Sequence, residues 1–333
     1  MANRAPRPDI WDGPNHDSTP TRSSRSWLLR IIRLAFGLLV FAALIAWLGQ
    51  QPTSLLAHAH FSPQALALAL AGTTAAALFT ALRWKLISES VGGHHLRFSV
   101  YFHAIVVTRF LGQFTSTLGM DLIGRGVALR SGGSTQALGH ATTVVILERI
   151  VDLLLPMSLV AWTALVLTYD VPSTASLGLL IVIFYSACIP LLAPCFQIGL
   201  SLYLRLLRRF NRPPTEPLST TIDKRVAAQI SGLSIMRFAA VVIQFTGIAW
   251  ALGIDISILH MLMATPFAQL ASIFGITPGA LGFAEAGWVG GFRVIDLDES
   301  SIALFVLVQR LAILIFFGAL SALSFPLRKN RRS

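Results

Sequence analysis

The chain has 333 residues, of which 54% are hydrophobic and only 12% charged; soluble globular domains carry about 25% charged residues, so composition excludes that class and marks an integral membrane protein. Residues 34–82 and 171–204 contain no Asp, Glu, Lys or Arg, enough for the roughly 20 apolar residues of a spanning helix, and such runs also exclude an outer-membrane barrel with its alternating strands. The formal net charge of +11 does not signal nucleic-acid binding, because the Lys and Arg cluster at the ends of hydrophobic segments, where they set membrane topology and meet anionic lipid.

In chain order, residues 1–26 are rich in Pro, Ser, Asn and Arg and are expected to form a disordered cytoplasmic segment. Trp27 begins an amphipathic lead-in to a membrane domain over residues 27–327. Ala57-His58-Ala59 mimics a signal-cleavage site but lies too far past the apolar stretch 34–48, so a retained anchor is expected. Spans are predicted near 31–49, 64–82, 141–168, 176–204, 233–254 and 301–325. Two segments are irregular. Residues 98–139 are broken by Arg109, Gly112, Gly119, Asp121, Gly124, Arg125, Gly126 and Arg130, and residues 258–298 by Pro266, Gly275, Pro278, Gly279, Gly282, Glu285 and Gly287.

Basic loops fix the orientation. Arg22, Arg25, Arg30 and Arg33 put the N-terminus inside, as Arg83, Lys85 and Arg97 do for the second loop. Arg205, Arg208, Arg209, Arg212, Lys224 and Arg225 mark a third inner loop, and the basic tail 328–333 a fourth. The parity of crossings agrees with these charges only if each irregular segment enters and leaves on the same side, as a re-entrant hairpin or pair of short helices. The predicted fold is therefore an all-α polytopic membrane protein with about six full transmembrane helices plus two broken hairpins. Its halves, 27–168 and 176–327, each hold three spans and one hairpin, and an odd number of spans makes them an inverted repeat. Glu148-Arg149 after the first hairpin and Gln309-Arg310 after the second are equivalent positions in it. Inverted repeats with broken helices meeting at the bilayer midplane are a transporter layout.

Arg109, Asp121, Arg125, Glu148, Arg149, Asp152, Glu285 and Arg310 all fall at membrane depth, where a charge needs a partner or a watery cavity. Asp121 and Arg125 are four apart and Arg149 and Asp152 three apart, so pairing along their own helices would satisfy both arginines. Arg310 has no acid within a helical turn, and Glu285 is its expected partner. An arginine keeps its charge and presents a fork that grips phosphate. Arg149 is placed in the inner half of the bilayer and Arg310 in the outer half, so a phosphate could pass between them. The competing reading is a structural ion-pair network. In the second hairpin, Pro278 and Gly279 end one helix and the next begins with free backbone N–H groups, a ready anion site; the alternative is an ordinary kinked helix.

Cys188 and Cys195 read as small buried hydrophobes. His94, His95 and His103, or His58 and His60, lack the cysteines or carboxylates of a metal site, so no metal and no cofactor are expected. No P-loop, Gly-x-Ser-x-Gly or His-Glu-x-x-His motif occurs.

The stretch from Arg109 to Asp152, with Gly119-Met120-Asp121, Arg125, residues 134–137 and Leu147-Glu148-Arg149-Ile150-Val151-Asp152, resembles the lysylphosphatidylglycerol synthase transmembrane region, or flippase-like, family. So do Ile276 to Glu285 with its Pro-Gly-x-Leu-Gly turn, Trp288 and Arg310. Asp121, Arg125, Glu148, Arg149, Asp152, Glu285 and Arg310 match that family's patterned positions; Gly119-Met120-Asp121 stands where a Gly-Gly-Asp-like turn is usual. The family is similar to the membrane domain of the multiple peptide resistance factor, which is thought to move aminoacylated phospholipid between leaflets, and relatives accompany hopanoid or polyprenyl-phosphate sugar pathways. The resemblance implies a bacterial inner-membrane protein, both termini cytoplasmic, that moves an anionic phospholipid or lipid-linked substrate. It implies no synthase activity, because the chain stops a few residues past the last span. Partners would be membrane lipid and envelope-lipid biosynthesis proteins, not nucleic acid. The alternatives are an intramembrane lipid-modifying enzyme using Glu285 or Asp121, and a non-transporting accessory scaffold.

Overall fold

The structure, a computed structural model, describes residues 62–90, 96–127, 137–169, 171–209, 222–273 and 277–329, together with position 46. The main helices are α1 (Pro63–Ser90), α2 (Phe98–Gly112), α3 (Ala137–Tyr169), α4 (Ser173–Arg209), α5 (Lys224–Ala251), α6 (Ile258–Ile273), α7 (Phe283–Val294) and α8 (Glu299–Lys329). Among the described residues, five helical stretches are long and apolar enough to cross a membrane: α1, α5, Glu148–Tyr169 of α3, Ser173–Ile198 of α4 and Glu299–Phe325 of α8. They carry five of the predicted spans, and the protein is an all-α polytopic membrane protein. The remaining predicted span at 31–49, the segment 1–26, the inner-loop residues 210–221 and the tail residues 330–333 lie outside the described residues, Ala46 excepted. So do His58, His60, His94, His95, Arg130 and the 134–136 turn.

Both irregular segments double back. At 1.5 Å per residue α2, α6 and α7 reach only about 22, 24 and 18 Å, short of the roughly 30 Å hydrocarbon core. Gly287 lies against Ala268 and Gly291 against Ala264, a register that runs α7 antiparallel to α6, so this hairpin leaves on the side where it enters. In the first hairpin Gly112 lies beside Thr117 and Gly124 beside Thr108, so the chain returns along α2. Its return leg is irregular: Ser116 accepts the Gly119 N–H at 3.3 Å, and one turn, Met120–Gly124, is π-helical. Single π turns occur frequently at functional sites.

The halves interlock. α2 packs on α8 and α6 on α3, so each hairpin rests on the last helix of the other half. α1 and α5 cross antiparallel, Gly72 against Ala240 and Gln244, Gly247 against the backbone of Ala65 and Ala69. Small residues allow this because, in lipid, close van der Waals packing drives helix association. The hairpin tips also meet: Ser116 and Pro278 form an isolated antiparallel bridge, and the Gly279 N–H donates to the carbonyls of Gly112 at 2.9 Å and Thr115 at 3.0 Å. Polar backbone at depth is thereby paired within the protein. Cys188 is buried and Cys195 half-buried, both as free thiols. His103 contacts Ser324 Oγ through Nδ1 at 2.9 Å.

A Cβ at Gly247 would lie 2.6 Å from Ala69 N and 2.9 Å from Ala65 O, so Gly247→Leu must part α1 from α5. Overpacking costs about 1 to 3 kcal/mol, and thermal unfolding in detergent should fall accordingly. Gly178→Leu, whose Cβ meets nothing within 4 Å, should leave it unchanged.

Candidate functional site

Helix geometry first puts charges on shared faces. Glu148 and Asp152 are one turn apart on α3, and on the return leg Asp121 lies one turn before Arg125, which donates to it at 3.1 Å. The remaining pairs come from other helices. Arg125 also reaches Glu148 and lies over the Trp84 ring, 5.2 Å from its centroid. Arg149 pairs with Asp121. Arg83 from α1 donates to Asp152 at 2.8 Å and to Ser234 Oγ at 3.0 Å, and its Nε lies 3.6 Å from Glu148. Arg237 from α5 donates to Asp152, again at 2.8 Å. The result is one alternating chain of charge, Arg149, Asp121, Arg125, Glu148, Arg83, Asp152, Arg237, that ties α1, α3, α5 and the return leg together.

A second cluster forms at the hairpin tips. Arg310 on α8 pairs with Glu285 on α7 and donates to Gly279 O at 2.5 Å and Gln113 Oε1 at 3.4 Å. Gly279, Ala280 and Gly282 take φ of 58°, 56° and 86°, left-handed backbone that glycine tolerates best. At Gly279 a Cβ would also sit 2.8 Å from the Arg310 guanidinium. Glu285, fully buried, accepts the Gly282 N–H at 2.7 Å, so an internal carboxylate occupies the N-terminus of α7, where an acid is favoured.

Between the clusters lies a cavity of about 210 Å³. Of the eight residues predicted for the site, Arg109, Arg149, Asp152 and Arg310 line it. Asp121, Arg125, Glu148 and Glu285 are almost fully buried behind them and hold the arginines in place. Arg109 makes no ion pair or side-chain hydrogen bond among the described residues. Five arginines thus share four carboxylates and Arg109 has none, an excess of two positive charges in the described site.

Three sequence expectations are corrected. Arg83, assigned to an inner basic loop, is 1% exposed inside α1, because that helix continues two turns past the predicted span. Arg149 does not pair with Asp152 three residues on; it takes Asp121, and Asp152 is shared by Arg83 and Arg237. The N–H groups at the start of α7 are not a free anion site: Glu285 takes that of Gly282, while those of Phe283 and Ala284 bond Ala280 O. Sequence reasoning also missed Arg237, Gln113, Gln244, Gln269 and Gln309, all of which line the cavity. Arg237 had a signal, being the only charged residue of the predicted span 233–254. Among the described residues no three His, Cys, Asp or Glu converge as a metal site.

Removing one partner of a buried ion pair costs about 3 to 5 kcal/mol because a charge is stranded. Asp152→Asn strands two, and thermal unfolding in detergent should show a loss of at least that size. The double variant Asp152→Asn/Arg237→Gln should recover part of it, since coupled neighbours are not additive.

The model of the family described as lysylphosphatidylglycerol synthase TM region matches residues 34–321. No curated protein matches the chain. The matched residues include both hairpins and every charged residue of the cluster from Arg83 to Arg310. The chain belongs to the lysylphosphatidylglycerol synthase TM region family.

Proposed function

We propose that this protein holds the headgroup of an anionic phospholipid or polyprenyl phosphate in the cavity and moves it between leaflets of the bacterial inner membrane. The observation that carries this reading is the uncompensated positive charge: among the described residues Arg109 lines the cavity without an ion pair, and with it the arginines outnumber the carboxylates by two. A permanent cation at depth costs about 2.5 to 3.5 kcal/mol unless something negative or watery meets it. A phosphate mono- or diester supplies the missing charge and suits the guanidinium fork. Arg149 and Arg310 border one cavity, so one headgroup can engage both together, without being passed from inner to outer half. The volume is below the roughly 300 to 1,000 Å³ of drug-sized pockets; it suits a headgroup whose acyl chains remain in lipid.

Orientation follows from charge. Because α1 and α5 are antiparallel, Lys85, Arg97, Arg205, Lys224 and Arg225 gather at one end of the bundle, while Asp255, Asp296, Asp298 and Glu299 gather at the other. In this reading the positive-inside rule faces the basic end of the bundle toward the cytoplasm; with the predicted span 31–49, which lies outside the described residues, both termini would face it too. The reading is non-enzymatic, because all four carboxylates of the cluster are held by guanidinium groups and none is free to serve as a base.

Reconstituted protein should speed leaflet exchange of labelled phosphatidylglycerol, and the recovered lipid should be unchanged in mass. Arg109→Gln breaks no ion pair among the described residues and should fold normally. A charge-assisted hydrogen bond contributes about 1.5 to 3 kcal/mol, so the exchange rate should fall about ten- to a hundredfold. Exchange no faster than in empty liposomes rejects the proposal.

A further inference from the structure

We infer that the protein moves no proton with the lipid, so each lipid crosses with its own net charge, and the membrane potential, not a proton gradient, biases its distribution between leaflets. The inference rests on the reading of this cavity as a headgroup site and names the force that acts on the movement.

A proton-coupled carrier needs a group in its cavity that binds and releases a proton, which inside membranes is the task of Asp, Glu or His. The charged side chains that line this cavity are Arg109, Arg149, Asp152, Arg237 and Arg310, and among the described residues the lining includes no His, Glu or Lys. An arginine keeps its proton at any realistic pH. Asp152 has the guanidinium groups of Arg83 and Arg237 on one oxygen, Oδ1, each at 2.8 Å. The carboxylates behind the wall are held in the same way: Asp121 by Arg125 and Arg149, Glu148 by Arg125 and Arg83, and Glu285 by Arg310. A proton added to any of the four would neutralise an acid and strand at least one permanent cation at depth, where an unpaired charge is costly. The network is therefore a fixed set of charges rather than a proton relay.

After each passage the protein returns to its starting state, so its own charges contribute nothing to the net transfer. What crosses is the charge of the lipid. A lipid whose only charge is one phosphodiester carries a single negative charge to the outer leaflet. With the interior negative, that transfer is favoured, and the distribution between leaflets shifts about fortyfold for each 100 mV. The drive follows the sign of the lipid. A headgroup neutral overall feels none, and a singly positive lipid is held back by the potential, so it moves outward only down its own concentration gradient.

The test uses the protein in phosphatidylcholine liposomes with a trace of phosphatidylglycerol labelled on an acyl chain with an uncharged dye. An impermeant quencher reads the outer leaflet, and a potassium gradient with valinomycin sets the interior negative by about 100 mV. The expected result is a steady distribution shifted about fortyfold toward the outer leaflet, reversed when the potassium gradient is reversed. A pH gradient imposed at zero potential should produce no shift. Labelled lysyl-phosphatidylglycerol, kept at mildly acidic pH where both amino groups are charged, should shift the opposite way. Arg109→Gln should reach the parent's distribution more slowly, because it alters the rate and not the charge carried. Exchange of phosphatidylglycerol that ignores the potential, or that follows the pH gradient, overturns the inference and leaves lipid movement standing. A shift of both lipids in one direction, or a different final distribution in Arg109→Gln, also overturns it. Exchange no faster than in empty liposomes rejects the headgroup reading and the inference with it.

Discussion

The structure depends on the fact that an arginine inside a bilayer keeps its charge. Each guanidinium brought to depth must be met by an acid, and an acid shared by two guanidinium groups draws two segments together. Asp152 joins α1 to α5 across α3, and Asp121 joins the return leg of the first hairpin to α3. Apolar helices alone would pack with little preference for depth or rotation, since lipid is as apolar as their side chains. The alternating chain from Arg149 to Arg237 removes that freedom, because sliding any one helix by a turn would strand a charge.

The hairpins solve a different problem. Their tips are non-helical backbone in the interior, which is tolerated only when protein or a cavity satisfies it. Each tip uses the other: the Gly279 N–H bonds the carbonyls of Gly112 and Thr115, and the Gly279 carbonyl in turn accepts from Arg310. Gln113, just past the end of α2, accepts from the same guanidinium. Arg310 therefore spans the contact between halves and also borders the cavity.

Much of the fold was legible in the sequence because hydropathy depends on local composition. Spans, breaks and the need for two doubled-back segments followed from apolar runs and from the sign of the loops. Glu285 was legible as the partner of Arg310 because so few acids lie at depth in the second half. The charge network was legible only in part, since helical spacing reveals pairs three or four apart and little else. Arg83 and Arg237 meet Asp152 across 69 and 85 residues, and only the packing of α1 and α5 against α3 creates those contacts. The same limit explains Arg149: spacing offered Asp152, but two cations from other helices already held it, and the π turn carried Asp121 into reach. The start of α7 looked receptive because spacing shows unpaired N–H groups but not which side chain turns back to take one.

A difference between the halves bears on why the ion-pair network borders a cavity with excess positive charge. In the inverted repeat expected from the sequence Glu148-Arg149 and Gln309-Arg310 would be equivalent, and both leading residues are buried. Glu148 gives a counter-charge to Arg125 and Arg83. Gln309 gives none, and its amide has no hydrogen-bond partner among the described residues. A Glu at position 309 would restore one of the two missing negative charges and bring the site closer to a neutral, self-satisfied core. Gln309 in place of an acid thus leaves positive potential and an amide without a hydrogen-bond partner among the described residues side by side on the cavity wall.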